Sequence, residues 1–125
     1  MVGGMAMNSK GATELNWDDL PAVITGFLPA HEAREADAAV SAFAADAVVT
    51  DEGRSHRGVA EIRSWLVNGG SEYTYTTEFV GAHRVGEGRF DVAQHLEGDF
   101  PGGSATLHYR FVLAGNLITR LTIEP

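Results

Sequence analysis

From Ser71 onward, apolar and polar residues alternate with a period of two, and this constrains the fold more than any other feature of the chain. The alternation predicts strands over 72–85, 89–100, 104–113 and 117–124. Gly86-Glu87-Gly88, Pro101-Gly102-Gly103 and Ala114-Gly115-Asn116 supply the turns between them. With tight hairpins, one face collects Tyr73, Tyr75, Thr77 and Phe79 with Phe90, Val92, Gln94 and Leu96. Leu107, Tyr109, Phe111 and Leu113 join that face, followed by Leu117, Leu121 and Ile123. The opposite face carries Glu78, Arg89, Asp91, His95, Glu97, His108 and Arg110. A sheet this one-sided must have its apolar face covered.

The first half provides the cover. Leu20, Val23, Ile24, Phe27, Leu28 and His31 recur every three or four residues, which predicts a helix with one apolar stripe. Pro29 should kink or break it near Leu28, because proline deletes a backbone hydrogen bond and crowds the turn before it. A second helix is predicted over 35–45, with Ala36, Ala39, Val40 and Phe43 inward. Asp46-Ala47-Val48-Val49-Thr50-Asp51 then reads as a strand ending in a carboxylate, followed by a glycine turn. A third helix over 59–67 points Ile62, Trp65 and Leu66 inward and stops at Asn68-Gly69-Gly70. Residues 1–13 are glycine-rich, small and polar, so they read as a disordered lead-in to one domain over 14–125.

Composition removes several function classes. With 17 acidic against 9 basic residues and a net charge of −8, the chain lacks the basic footprint that nucleic acids and anionic membranes require. It contains no cysteine, which excludes disulfides, thiolate nucleophiles and cysteine-bound metals. No glycine-rich loop precedes a helix start, so no phosphate cradle is expected. The absence of a long apolar run makes a cytoplasmic location the default expectation. At 44% apolar residues, the chain can build a real core.

The Asp46-Ala47-Val48-Val49-Thr50-Asp51 strand, Gly53, and the Arg57-Gly58 to Trp65 segment with Ile62 together resemble the nuclear-transport-factor-2-like superfamily. Phe100-Pro101-Gly102 and Ile118-Thr119-Arg120-Leu121 add to the likeness, which spans about residues 17–124 and is nearest the SnoaL-like, polyketide cyclase-like branch. The resemblance implies an α+β cone (cystatin-like): three N-terminal helices packed on a curved, mainly antiparallel sheet that encloses a pocket. It also implies a small, largely hydrophobic or carbonyl-bearing ligand and a homodimer formed through the sheet. Against a ketosteroid isomerase of the superfamily, Asp51 falls on the proton-shuttling aspartate. The oxyanion-binding tyrosine of the first helix falls on Phe27, which has no hydroxyl, and the late-strand donor falls on Tyr109 or His108.

Candidate chemistry centres on Asp51. At the mouth of an apolar pocket a carboxylate becomes a usable base, whereas paired with Arg54, His56 or Arg57 it would only pin the turn. Tyr109 is either a donor to a developing oxyanion or a core tyrosine. Tyr73, Tyr75, Phe27, Trp65, Phe111 and Leu121 are candidate ligand walls, and Gln94 is a lone inward amide that needs a partner. His31 either reaches the pocket as an acid–base partner of Asp51 or faces solvent at the helix end. His95 and His108 lie opposite one another in the tightest hairpin, but on the charged face a polar ladder accounts for them, so no metal is expected. The enzymatic reading is therefore cofactor-independent proton transfer, as in an isomerase, cyclase or dehydratase. Its alternative is a non-catalytic ligand-binding or interaction domain.

Overall fold

The computed structural model describes residues 13–68 and 74–125. In chain order it has β1 (Thr13–Leu15), a single 3-10 turn at Trp17–Asp19, α1 (Ala22–Glu32), α2 (Ala36–Val40), β2 (Phe43–Asp51), β3 (Arg54–Arg57) and α3 (Gly58–Asn68). Four long strands follow: β4 (Tyr75–Gly86), β5 (Arg89–Gly98), β6 (Ser104–Ala114) and β7 (Leu117–Glu124). All the strands form one seven-stranded sheet in the order β1-β4-β5-β6-β7-β2-β3. Every neighbouring pair is antiparallel except β2 with β7. Three helices on a curved, mainly antiparallel sheet make the expected α+β architecture. Among the described residues, no helix is long and apolar enough to cross a membrane.

Helix α1 buries Ile24, Phe27, Leu28 and Ala30, and it runs unbroken through Pro29 to Glu32 rather than breaking near Leu28. The reason is position. Pro29 is exposed, and the carbonyl it leaves unpaired belongs to Thr25, one turn back on the same outward side, where water can serve it. The helix ends instead at a left-handed Arg34 with φ 61°. There the Arg34 N–H donates to the His31 carbonyl (3.1 Å) and the Glu35 N–H to the Ala30 carbonyl (2.9 Å), the paired bonds of a Schellman ending. The Thr77 N–H donates to Glu32 Oε2 at 3.1 Å, tying this helix end to β4.

The second helix is shorter than its alanine run predicts. It stops at Val40, and Phe43 begins a strand that pairs in parallel with Ile118 of β7. The Ile118 N–H also donates to the Ala42 carbonyl at 2.8 Å. Without β2, the edge of β7 would be unpaired, so a non-local ladder overrides local helix propensity. Strands β1 and β3 are too short for their period to register in the sequence. Thr13, placed in the predicted lead-in, pairs with Arg84, and β3 returns through a two-residue turn in which Glu52 (φ 55°) and Gly53 (φ 77°) are both left-handed.

The predicted faces of the sheet hold, with three corrections. A bulge between Phe79 and Gly81 turns Ala82 inward and leaves Val80 exposed. A second, between Val112 and Leu113, makes Ile118 (0% exposed) the core residue of early β7 in place of Leu117 (41%). The Pro101-Gly102 loop is wider than the tightest hairpin, so His95 faces Thr106 and His108 faces Ala93 instead of each other. A register shift of two preserves the face while changing the partner. On that outer face His95 bonds Thr106 and Glu97, and His108 bonds Asp91, which also takes Arg110.

Candidate functional site

The open end of the cone holds a cavity of about 360 Å³. Its polar rim comes from five elements: His31 from α1, Asp51 and Glu52 from β2 and its turn, Trp65 from α3, Tyr75 from β4 and Tyr109 from β6. Leu96, Leu107 and Ile123 form its apolar floor, and Phe100 and Pro101 of the β5–β6 loop flank it. Strand β2 delivers Asp51 there because it runs parallel to β7, which sets Asp51 beside Ile123 at the end of both strands.

Asp51 Oδ2 accepts the Trp65 indole N–H at 3.0 Å. That bond orients the carboxylate and leaves its other oxygen for a ligand. A second, more polar depression shares Asp51, Glu52 and Trp65 and adds Arg54, His56, Ser64 and Asn68. Burial raises the Tyr109 phenol well above the ordinary tyrosine range, with Tyr75 adding to the effect, so it stays protonated at neutral pH. A side-chain bond with Gln94 acts in the opposite direction. Gln94, buried beside it, is thus the side-chain hydrogen-bond partner of this phenol. Burial also raises Tyr75, which feels Arg34, Glu32 and Asp51.

His31 is pushed down to about 4 by burial, with Arg34 adding to the shift, so its imidazole is neutral at pH 7. Because α1 is continuous, the histidine stays on the inward stripe and does not turn to solvent. Its ring stacks on Phe27 (centroids 5.4 Å apart) and on Trp65 (5.1 Å), and Trp65 in turn stacks on His56 (6.0 Å).

Five of the sequence candidates therefore meet at one cavity: Asp51, Tyr109, His31, Trp65 and Tyr75. Phe27, Phe111 and Leu121 do not line it; each is at most 1% exposed and packs behind the site in the closed core. Inward direction alone could not distinguish the closed end of the sheet from the open one. Gln94 is buried and acts through Tyr109 rather than on the cavity. Tyr73 lies outside the described residues. Glu52 and Pro101 read as turn residues and Phe100 as the end of a strand in the sequence, which carries no signal that these segments fold over a pocket. Gly98 marks one supporting feature: a Cβ there would lie 2.6 Å from Tyr75 Cβ and 2.3 Å from the Thr74 carbonyl oxygen. Only glycine lets Tyr75 close on β5.

Known structures share this architecture. A candidate polyketide cyclase from Sinorhizobium meliloti is 34% identical, with a TM-score of 0.80 over 88% of this chain and all of that one. The chain belongs to the nuclear-transport-factor-2-like superfamily, on its SnoaL-like branch. Two more distant structures share the fold. A Catenulispora acidiphila protein with a ketosteroid isomerase-like fold, solved with trimethylamine, is 19% identical, with a TM-score of 0.73 over 84% of this chain and 85% of that one. A protein of the superfamily from Cytophaga hutchinsonii is 11% identical, with a TM-score of 0.66 over 90% and 91%. No protein-family model and no curated protein matches the chain. Within this SnoaL-like frame, the helix position matched to the isomerase tyrosine is core-buried Phe27, and the next turn of the helix brings His31 to the cavity. Tyr109 lines the cavity, while His108 bonds Asp91 on the outer face.

Proposed function

We propose that this SnoaL-like protein binds a small, largely hydrophobic, carbonyl-bearing molecule and moves a proton on it without a cofactor. One observation carries the reading: a carboxylate held at one oxygen and a phenol that burial keeps protonated border the same cavity. Asp51 takes the proton from the carbon beside the carbonyl. The C–H electron pair then shifts to the carbonyl oxygen, giving an enolate that the Tyr109 O–H stabilises by hydrogen bonding. The protonated Asp51 returns the proton to a second carbon, for isomerisation; for cyclisation, the enolate carbon attacks an internal carbonyl carbon, whose π pair moves to its oxygen and takes up the proton from Asp51. Leu96, Leu107 and Ile123 supply the apolar surface that would hold the ligand's rings.

The test is exchange of ketone α-protons in D2O, followed by NMR over a panel of cyclic ketones. Asp51→Asn, whose amide oxygen can still accept the Trp65 N–H, should slow exchange by roughly 10²–10⁴-fold while ligand still binds. A rate unchanged by that substitution would leave a binding protein on the same scaffold. One observation favours that second reading: Phe27 occupies the matched helix position and brings no hydroxyl.

A further inference from the structure

We infer that His31 is a second donor to the developing oxyanion, its imidazole N–H meeting the same ligand oxygen as the Tyr109 phenol. The inference rests on the proton-transfer reading above and adds to it a residue and a role.

The first support is geometric. His31 borders the same cavity as Asp51, Tyr75 and Tyr109. Phe27 and Trp65 both stack on the imidazole, at 28° and 23° to its plane, so aromatic packing clamps the ring by its faces. Only its edge remains for the cavity, and both nitrogens of an imidazole lie on its edge. The clamp also removes the rotation that an exposed histidine would lose on binding a ligand, so the site is set before the ligand arrives.

The second support is charge compatibility. Asp51 borders the same space and must remain an unpaired carboxylate to act as a base. A cationic imidazole there would form an ion pair with it and weaken its basicity. The groups around His31 are Arg34 and Glu32 at the end of its own helix, Asp51 on β2, Tyr75 on β4, Tyr109 on β6, and His56 of β3 beyond Trp65. Burial and Arg34 keep the ring neutral. A neutral imidazole carries one N–H, which can polarise a carbonyl without competing for the Asp51 charge. An enolate oxygen can accept more than one hydrogen bond, and the single Tyr109 O–H leaves it room for this second donor.

The experiment uses the full chain with His31 unchanged, His31→Gln and His31→Phe. Phenylalanine keeps the stack and removes the donor, while glutamine restores a neutral N–H. The probe is 2-naphthol, whose anion presents an oxyanion on a flat apolar frame and whose emission reports ionisation. His31→Phe should lower affinity for the bound anion by roughly 10- to 100-fold, and His31→Gln should recover most of that loss. In the unchanged protein, ¹⁵N NMR should show the His31 ring neutral, in one tautomer, from pH 8 down to pH 5. The inference is overturned if glutamine binds no better than phenylalanine, or if His31 titrates between pH 5 and 8, which would make it an acid–base partner of Asp51 instead. Failure of the wider reading looks different. If Asp51→Asn leaves ketone exchange intact while the His31 results hold, the base is lost and the oxyanion donor stands. If the unchanged protein binds no naphtholate at all, both fall together.

Discussion

The two ends of the cone are built by the same elements and obey different rules. At the closed end, α1 presents Phe27, which meets Phe43 and Phe111 edge-on at 5.3 and 6.0 Å, with Ile118 and Leu121 fully buried around them. One turn further along the same helix, His31 borders a cavity ringed by two carboxylates and two phenols. Strand β6 repeats the contrast, with Phe111 in the closed core and Tyr109 at the cavity two residues earlier. Apolar rings fill the end that needs only packing, and polar-edged rings border the end that must stay open. Side chains at the closed end should therefore control stability, and those at the open end should control chemistry.

The sharpest challenge to that division is a pair of truncations on β6. Phe111→Ala should cost about 3–5 kcal/mol in chemical denaturation, because it removes a ring that is 1% exposed and leaves a cavity. Tyr109→Phe keeps the ring and should cost much less, while abolishing most of any ketone exchange. Comparable stability losses in the two variants would erase the distinction between the ends.

A smaller effect should come from His31, the open-end residue on which folding does depend. Its folded value of about 4 lies below the ordinary 6.5, so between those values the unfolded chain binds more protons than the native one. Stability should therefore be complete above pH 6.5 and decline as pH falls towards 4, by roughly 3 kcal/mol at most. Replacing His31 with phenylalanine should flatten that acid limb in denaturation curves taken between pH 4 and 7. An unchanged limb would mean that other groups produce it.

The smallest effect is expected at Glu52, beside Asp51. Its φ of 55° is a left-handed conformation that glutamate adopts at a cost, in a two-residue turn that asparagine followed by glycine suits better. Glu52→Asn should raise stability by about 0.5–1 kcal/mol, read from the shift in denaturation midpoint. If it also weakens naphthol binding, the glutamate carboxylate serves the cavity and the strain is functional.

Much of this arrangement was legible in the chain. The change to a period of two at Ser71 marks the four long strands, and the alternation assigns Tyr75, Gln94 and Tyr109 to the covered face. The strand ending at Asp51 and the helix carrying Trp65 are also marked by local pattern, and each borders the cavity. Local signals were less reliable where a distant partner decides the outcome. The alanine run around Ala44 has helix propensity, yet residues from Phe43 onward become a strand because β7 offers an edge. Pro29 promised a break, but its outward position made the missing hydrogen bond cheap.

Along the regular stretches of the strands, the sequence by itself determined which residues face inward, because periodicity is a local property of the backbone and survives a register shift of two. Only the tertiary structure decided how deep each inward residue lies. Depth depends on where the helices close over the sheet and on the bulges that re-aim β4 and β7, and these are set by contacts between segments far apart in the chain. That is why Phe111 and Tyr109, on one face of one strand, separate into a core ring and a cavity hydroxyl.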